Sequence, residues 1–486
     1  MSLLSRIKQH FMAPGSGLGL GIFRIVYSLV MLAEVLELLY FHDLIYGAVP
    51  GDTWHVDNHF QVLLLVWAGA VCAMVLGLWM RPATIINYVL TVVFMGTFST
   101  FSYHVDYFFL GVNFLLIFIP ARTAFSVKLP EKWGGDRGPA QTATWGYVAL
   151  IGMIGVAFVY TDSVFTKLDS PMWRDGLGMF TPAALPIASW TNLDFVLDQE
   201  WLVRGTGWAV LIFEILLIFL LPFQCCRVPL AFFGFLFHIG ICIAFPIPWF
   251  GLAVASYYLM LFPDWVWIKL FRLVGLGRFA EVPPVNEGRA QKMWRWGWMF
   301  FCVSFVLQVI LSSIHPGVRR VLPDGVNQWF AGTRATIHPW TREFLGMTRH
   351  GVFMDGHFAN YNHAIAVVYR RKGKETWLPI TTQEGRPGAY MLGRTWVYHA
   401  FRVNGPNIDQ SSLELGLRRW TWFWAVKNRV RLSDAEFVVK VKKVAPHFVW
   451  QMDVTEEQMA TPWNDVGTIR WKEFKCEVSL PIIEDL

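Results

Sequence analysis

Long apolar stretches separated by short polar connections fill the first two thirds of the chain. A window of about 19 residues, the length that crosses the hydrocarbon core of a bilayer as an α-helix, predicts about nine membrane spans. The fourth span begins at Asp106 and the seventh ends at Pro246-Ile247-Pro248, so both are expected to be tilted or partly re-entrant. The predicted spans lie near residues 19–41, 61–80, 83–102, 105–120, 144–161, 202–223, 229–248, 250–268 and 293–314.

The pattern changes at Pro316, where short segments rich in β-branched and aromatic residues alternate with Gly, Pro and Asn. One exception is Ser412–Lys427, whose apolar residues recur every three or four positions and predict an amphipathic helix. We therefore expect a polytopic α-helical membrane bundle in residues 1–315, followed by a mostly-β extracytoplasmic domain in residues 316–486. The predicted strands are His363–Tyr369, Trp396–Val403, Phe437–Val444 and Ile469–Val478.

Composition agrees with a membrane protein that contacts the lipid bilayer over much of its surface. Hydrophobic residues make up 55% of the chain and charged residues 16%, with a mean hydropathy of +0.41. A soluble chain would carry about a quarter charged residues. The net charge of +6 is explained by basic loops between the predicted spans, so it gives no reason to expect nucleic-acid binding.

The basic residues also predict an orientation, because Lys and Arg accumulate in short cytoplasmic loops. With a cytoplasmic N-terminus, the predicted inner loops contain Arg81, Arg227 and a basic segment at 269–292, whereas the 42–60 and 246–250 connections contain no Lys or Arg. The extracytoplasmic domain then contains only Cys476 of the six cysteines, which excludes a disulfide within that domain. The first span is expected to be an uncleaved signal anchor.

Lys167 is the first candidate for chemistry, because it follows directly on an apolar span. An ionisable group at the end of a hydrophobic helix is costly unless it is paired, hydrated or used. Two interpretations stay open: Lys167 is a catalytic base, or it reaches the membrane interface or pairs with Asp162 or Asp169.

Two further pairs of polar residues are candidates for the same pocket. His238 lies in the predicted seventh span and needs a hydrogen-bond partner, for which Glu214 in the sixth span is the obvious candidate. His104 and Asp106 lie in a predicted outer turn, where they would either add an acid or base to the pocket or be solvated. For His238, a structural hydrogen bond between helices is the alternative to a role in substrate or quinone binding.

The first span contains three ionisable residues, Arg24, Glu34 and Glu37. Arg24 and Glu34 are ten residues apart, about 15 Å along a helix, so each needs a partner on another helix. We expect structural charge pairing for all three, with Arg24 near the cytoplasmic interface.

Other sites are weakly indicated. His350, Asp355 and His357 lie close enough in sequence to suggest a metal site, but no third-ligand pattern supports it. The stretch Gly15–Gly21 resembles a nucleotide fingerprint only superficially, since no strand precedes it, and is expected to let the first helix pack closely. The chain has no Walker loop, no His-Glu-x-x-His and no Gly-x-Ser-x-Gly.

Several of these residues together resemble a known family. Arg24, the run from Val159-Tyr160 through Lys167-Leu168 to Trp173-Arg174-Asp175-Gly176, Glu214, and Phe237-His238-Ile239-Gly240 are similar to the horizontally transferred transmembrane (HTTM) domain. This domain forms the bacterial branch of the vitamin K-dependent gamma-carboxylase superfamily. The resemblance covers about residues 15–315, and the Lys-Leu element followed by Trp173 is its most specific part.

The resemblance implies that Lys167 acts as the base that deprotonates a reduced quinone, which then reacts with oxygen. It also implies a β-rich extracytoplasmic domain and favours a bacterial inner membrane. Two alternatives remain: a non-catalytic subunit that braces a larger envelope complex through membrane-protein partners, and, less favoured, a transporter. If the protein is an enzyme, we expect Lys167, Glu214 and His238 to converge on one cavity. If it is a bracing subunit, we expect Lys167 to be exposed or salt-bridged.

Overall fold

Apolar helices form the N-terminal part of the computed structural model, as the hydropathy pattern predicts. The first helix is 24 residues long, and a Cβ at Gly19 would lie only 3.2 Å from the Met260 carbonyl oxygen. Gly19 thus permits the close helix packing that the glycine-rich entry predicts; Gly15 lies outside the described residues. The structure describes residues 9, 12, 17–47, 49–50, 59–96, 101–118, 124–127, 144, 147, 158–221, 223–276, 287–406, 408–472 and 475–481.

The helices of this part differ widely in length, from single turns to more than six turns. They are α1 Gly17–Tyr40, α2 His42–Ile45, α3 His59–Leu76, α4 Met80–Thr91, α5 His104–Leu116, α6 Phe158–Leu168, α7 Pro171–Arg174, α8 Phe180–Ala184, α9 Asp194–Leu197, α10 Glu200–Leu220, α11 Gln224–Ala244, α12 Pro248–Leu261, α13 Asp264–Leu273 and α14 Glu287–Ser312, with a π-helical turn at Val92–Gly96 and a 3-10 turn at Pro186–Ala188.

The described residues do not support the prediction of nine membrane spans. Two helices are long and apolar enough to cross a membrane, Cys225–Ala244 and Gly288–Ser312, and a third span results if α12 and α13, which meet at 100°, are counted as one. A hydropathy window averages over about 19 residues, so it detects neither a bend between two helices nor the point at which a short helix ends. The 13 residues of α5, for example, extend only about 20 Å, less than the hydrocarbon core of about 30 Å. Most of the predicted fifth span lies outside the described residues.

The region after residue 315 is a mixture of helices and strands, so the prediction of a mostly-β domain is wrong. Three of the four predicted strand segments do form strands, the last as a hairpin, and the helix predicted at Ser412–Lys427 is confirmed. The elements are α15 Pro316–Val321, α16 Asp324–Leu345, α17 Asp355–Phe358, β1 His363–Arg371, β2 Lys374–Trp377, α18 Arg394–Arg402, α19 Gln410–Lys427, a 3-10 turn Leu432–Asp434, β3 Glu436–Lys443, α20 Val454–Ala460, β4 Trp463–Lys472 and β5 Lys475–Ser479.

The predicted strand Trp396–Val403 is instead the helix α18. A run of aromatic and β-branched residues fits a buried strand or a buried helix, and periodicity does not separate the two. Tertiary packing decides for the helix, because Tyr398 stacks on Phe101 at 4.0 Å between ring centroids. Arg394, in the first turn, meanwhile reaches carboxylates of α1 and α5.

The five strands form one antiparallel sheet in the order β2-β1-β3-β4-β5, with an irregularity in the register at Val439 and Lys440. Helix α19 packs on this sheet, where Trp424 contacts the rings of Tyr369 and Phe437. Asp409 caps α19 by accepting a hydrogen bond from the backbone of Ser412, a favourable arrangement for a helix N-terminus.

The two regions share one hydrophobic core, and the chain segment that links them approaches the apolar helices closely. Helix α16 ends at Gly346, which has a positive φ of 64° and lies against the backbone of Tyr107 in α5. A side chain at this position would collide with the Tyr107 carbonyl group. The approach brings the following loop, residues 347–358, over the ends of α5 and α6, where the candidate site lies.

Candidate functional site

Lys167 lies in the last turn of α6, and its side chain is 7% exposed. Its Nζ donates a hydrogen bond of 2.6 Å to Oε1 of Glu214, on α10, whose side chain is 3% exposed. The predicted pairing with Asp162 or Asp169 is wrong. Asp162 accepts a hydrogen bond from the backbone of His350 and lies 2.9 Å from Nε2 of His315, and Asp169 is exposed.

Trp173 covers the other side of the lysine. Its ring centroid lies 4.3 Å from Lys167 Nζ, which is close enough for a cation–π interaction. The indole Nε1 donates a 2.8 Å hydrogen bond to the Phe353 carbonyl oxygen and so fixes the ring. The sequence element that joins Lys167 to Trp173 therefore forms one wall of a site.

A cavity of about 70 Å³ adjoins this pair. Lys167, Glu214 and His238 all line it, together with Trp173 and mostly apolar side chains. The Ser163 hydroxyl, which also lines the cavity, interacts with the Glu214 carboxylate, but Glu214 Oε2 is buried without a close hydrogen bond among the described residues. The site thus contains a paired ammonium, a carboxylate with one oxygen that lacks a close hydrogen bond, and room for a few water-sized groups.

His238 does not bind Glu214, so the predicted pairing is wrong. Its Nδ1 lies 2.8 Å from the Gly234 carbonyl oxygen and its Nε2 lies 3.1 Å from the Tyr160 hydroxyl. Because a carbonyl only accepts, a neutral ring carries its proton on Nδ1, and Tyr160 donates to Nε2. The Tyr160 oxygen lies 2.7 Å from that of Tyr258 and accepts from it, which completes a chain of hydroxyls beside the cavity.

Two more histidines reach the cavity from outside the bundle. His104, the first residue of α5, lines it, and its Nδ1 is buried without a partner among the described residues. His350 lines it from the loop after α16. Burial lowers the pKa of His350 and the nearby Asp162 carboxylate opposes this shift, so the His350 ring is neutral at pH 7.

A second, larger cavity of about 560 Å³ adjoins the first. It separates the starts of α5 and α12 from α16, α17 and α18, and its walls are largely aromatic. Arg342 and Arg402 contribute the only full charges among its described lining residues at neutral pH. The side chains that line both cavities, and so separate them, are His104, Phe250, Val352 and Phe353.

Asp106 is fully buried, so the prediction of a solvated turn is wrong. Its Oδ1 binds Arg394 at 2.9 Å and its Oδ2 accepts from the backbone of Tyr103. Glu34 binds the same arginine through Oε1, at 2.9 Å from Nε and 2.5 Å from Nη2. This cluster ties α18 to α1 and α5, and its three charged residues line neither cavity.

The other charged residues of α1 are also held by other elements, and only Glu34 forms a charge pair. Arg24 donates to carbonyl oxygens of Met74, Val75 and Ala124 at 3.0–3.2 Å, which satisfies acceptors at the end of α3. Glu37 accepts a hydrogen bond from the indole of Trp249. Structural charge pairing is thus confirmed for Glu34, while Arg24 and Glu37 have neutral partners among the described contacts.

The described residues contain no group of three or more His, Cys, Asp and Glu with the geometry of a metal site. Asp355 instead accepts hydrogen bonds from the Ser170 hydroxyl and the Met172 backbone, and His357 Nδ1 accepts from the backbone of Met354. These contacts fix the loop after α16 to the segment between Lys167 and Trp173.

The family model of the HTTM domain matches residues 13–265, which is more than half of the chain. The chain belongs to the HTTM-domain family. No curated protein and no solved structure matches it significantly. The HTTM match includes Lys167, Trp173, Glu214 and His238, whereas the loop that covers their cavity comes from the chain beyond the match.

Both hypotheses thus retain part of their support in this HTTM-domain protein. Lys167, Glu214 and His238 converge on one cavity, as the enzyme predicts, and Lys167 is salt-bridged, as a bracing subunit predicts. Sequence reasoning missed Tyr258 and Phe353, and considered His350 only as a metal ligand. A tyrosine hydroxyl in an apolar helix needs a partner, which is the signal that would have singled out Tyr258.

Proposed function

We propose that this HTTM-domain protein is a membrane enzyme in which Lys167 removes a proton from a lipid-soluble substrate. The observation that carries the proposal is the buried Lys167–Glu214 pair, which lines a cavity and leaves Glu214 Oε2 without a close hydrogen bond among the described residues. A purely structural ion pair gains from having its remaining acceptors satisfied. The unsatisfied Oε2 of Glu214 therefore supports a chemical role for this ion pair, in which it acts on a molecule that enters the cavity.

A base must be neutral before it accepts a proton, and Glu214 offers the means. Burial raises the free energy of the two separate charges, so the ion pair and the neutral amine–acid pair become closer in free energy. Transfer of the Nζ proton to Glu214 Oε1 over 2.6 Å gives an amine beside a carboxylic acid. The amine takes the substrate proton, and the resulting ammonium compensates the charge of the substrate anion.

The surrounding residues have supporting roles in this proposal. Trp173 places its ring against the ammonium and stabilises the charged form after proton transfer. His238 and the hydroxyls of Tyr160 and Tyr258 form an oriented hydrogen-bond chain beside the cavity. Phe353 and Val352 separate the lysine from the larger cavity and keep bulk water from it.

A reduced quinone is the cofactor that the family resemblance implies. The cavity at Lys167, about 70 Å³, is much smaller than the roughly 300–1,000 Å³ of small-molecule sites. The larger cavity, about 560 Å³ with aromatic walls that include Tyr107, Trp396 and Phe401, fits a quinone ring. When bound, a reduced quinone supplies electrons for a reaction with oxygen. Movement of the separating side chains would be needed for Lys167 to meet such a ring.

We place this site at the extracytoplasmic face of a bacterial inner membrane. The support is the distribution of basic residues, which are sparse in the 162–201 connection that contains Lys167 and abundant in the segment 269–292. Under this proposal the region after residue 315 is extracytoplasmic and closes the site from outside.

The test is oxygen uptake by the purified full-length protein with reduced menadione or ubiquinol. Lys167→Met removes the base, and Lys167→Arg retains a cation beside Glu214 that does not act as a base at neutral pH. We expect both to lower turnover by at least about 100-fold, whereas Lys269→Met, an exposed control, retains it. Wild-type turnover in Lys167→Arg would overturn the assignment of Lys167 as base.

A bracing subunit is the second candidate, favoured by the salt bridge of Lys167. It predicts no turnover with any quinol and stable co-purification of the same membrane proteins with wild type and Lys167→Arg. The arginine variant preserves the ion pair, so this comparison separates an assembly role of the pair from a chemical role of the amine.

A further inference from the structure

A second polar site lies at the start of α14, far along the chain from Lys167. Arg289, Lys292 and Trp296 follow at intervals of three and four residues, so they lie on one face of the helix. These residues lie near the start of the candidate membrane span Gly288–Ser312. The basic residues therefore occupy the level at which a span leaves the hydrocarbon core.

Two cavities adjoin this face. One, of about 500 Å³, lies between Arg289 and Lys292 on α14 and Arg81 in the first turn of α4. The other, of about 560 Å³, lies on the neighbouring side of α14 beside Arg295. Lys292 and Trp296 line both cavities and join them into one site.

The charged side chains among the described lining residues of this site are all basic. Arg81, Arg289, Lys292 and Arg295 line the two cavities, and no carboxylate is found among their described lining residues. Such a cluster attracts an anion, and arginine side chains suit the oxygen geometry of phosphate. The Tyr147 hydroxyl is already bonded to the Phe118 carbonyl oxygen at 2.8 Å, so its ring serves as an apolar wall.

An apolar ridge leads away from the basic cluster along the same helix. Trp296, Met299 and Val303 are 47%, 46% and 54% exposed and follow at intervals of three and four residues. A free phosphate would make no use of this ridge, whereas the acyl chains of a lipid would cover it. The combination of a basic cavity and an exposed apolar ridge is that of an amphiphile site.

We propose that the start of α14 binds the phosphate headgroup of an anionic phospholipid, with its acyl chains along Trp296, Met299 and Val303. This inference is independent of the chemistry at Lys167. It does not depend on the orientation of the protein in the membrane.

The test measures lipid binding to the purified full-length protein by native mass spectrometry and by thermal unfolding in detergent with added lipid. The probes are phosphatidylglycerol, phosphatidylcholine and soluble glycerol 3-phosphate. The test variant is Arg81→Gln/Lys292→Gln, and Lys292→Gln alone is the milder version. The matched control, Lys269→Gln/Arg272→Gln, removes two exposed charges of α13 that line neither cavity.

We expect phosphatidylglycerol to bind and to raise the unfolding temperature of wild type and control, and its affinity for the double variant to fall by about tenfold or more. Equal binding of phosphatidylcholine, or unchanged affinity in both test variants, would overturn the proposal. Stabilisation by glycerol 3-phosphate as strong as that by the lipid would also overturn it, in favour of a soluble phosphate ligand.

Discussion

Two buried cations, Lys167 and Arg394, meet carboxylates of the helical region in different ways. Arg394 joins two carboxylates, those of Glu34 and Asp106, and its Nη1 also lies 3.4 Å from the Phe101 carbonyl oxygen. Lys167 has a single carboxylate, an aromatic ring and a cavity. Arg394 lines neither the cavity at Lys167 nor the larger one.

The difference separates a structural cluster from a candidate reactive group. The structural cluster, called the joint below, consists of Arg394, Glu34 and Asp106. Burial alone would lower the pKa of Arg394, but the nearby carboxylates raise it well above its usual range. A guanidinium held in this way stays charged and fixed, which suits the connection of α18 to α1 and α5. A lysine with one acidic partner and an open side retains an alternative position for its proton.

The largest effect is expected at the joint. Arg394→Gln leaves the Glu34 and Asp106 carboxylates buried without a cation, and should lower the free energy of unfolding by about 3–5 kcal/mol. Chemical unfolding of the purified protein measures this loss, with Arg371→Gln as an exposed control. A loss of less than about 1 kcal/mol would mean that the cluster does not hold the two regions together.

A smaller loss of stability is expected at the lysine. Lys167→Met leaves only Glu214 unpaired, next to a cavity with room for a few water-sized groups, so the cost should be about 2 kcal/mol. Lys167→Met/Glu214→Gln removes both charges and should restore stability to within about 1 kcal/mol of wild type. The same unfolding measurement checks this cycle. If Lys167→Met/Glu214→Gln is as unstable as Lys167→Met, the loss of stability is not caused by the unpaired charge of Glu214.

Acidification should act on the C-terminal region, through His363 and His399. Burial, the largest cause for both, lowers each pKa to about 4, with Lys443 adding to the shift at His363 and His363 adding to that at His399. Between pH 6.5 and 4 the unfolded chain therefore binds more protons than the folded one, and stability falls as the pH falls. From pH 7 to 5 each histidine should account for about 1–2 kcal/mol.

Unfolding at pH 7 and pH 5 measures this dependence, and His363→Gln and His399→Gln should each reduce it. Because His399 lies on α18 together with Arg394, protonation should weaken the joint. Equal pH dependence in wild type and in both variants would show that other groups cause the acid sensitivity.

The smallest effect is expected at the loop that covers Lys167. Asp355→Asn weakens the hydrogen bonds from the Ser170 hydroxyl and the Met172 backbone, at a cost of about 1 kcal/mol. Hydrogen exchange should increase in peptides from 165–175 and 350–358 and remain unchanged in 394–402. A uniform increase would contradict the separation of the covering loop from the joint.

The sequence by itself determined the local features of this protein. Apolar runs predict the helices, alternation predicts β1 and β3, and the spacing in Ser412–Lys427 predicts α19, because each depends on residues close in the chain. The sequence also identifies the HTTM family and singles out Lys167, since an ionisable residue at the end of an apolar helix stands out without any structure.

Only the tertiary structure decided which groups meet. Glu214 lies 47 residues from Lys167 and Arg394 lies 360 residues from Glu34, so the partners of these charges depend on which helices pack together. The same packing makes α18 a helix rather than a strand and bends α12 against α13. A local pattern fixes which face of an element is apolar, but the neighbour of that face, and hence the partner of each buried charge, is selected by the free energy of the whole fold.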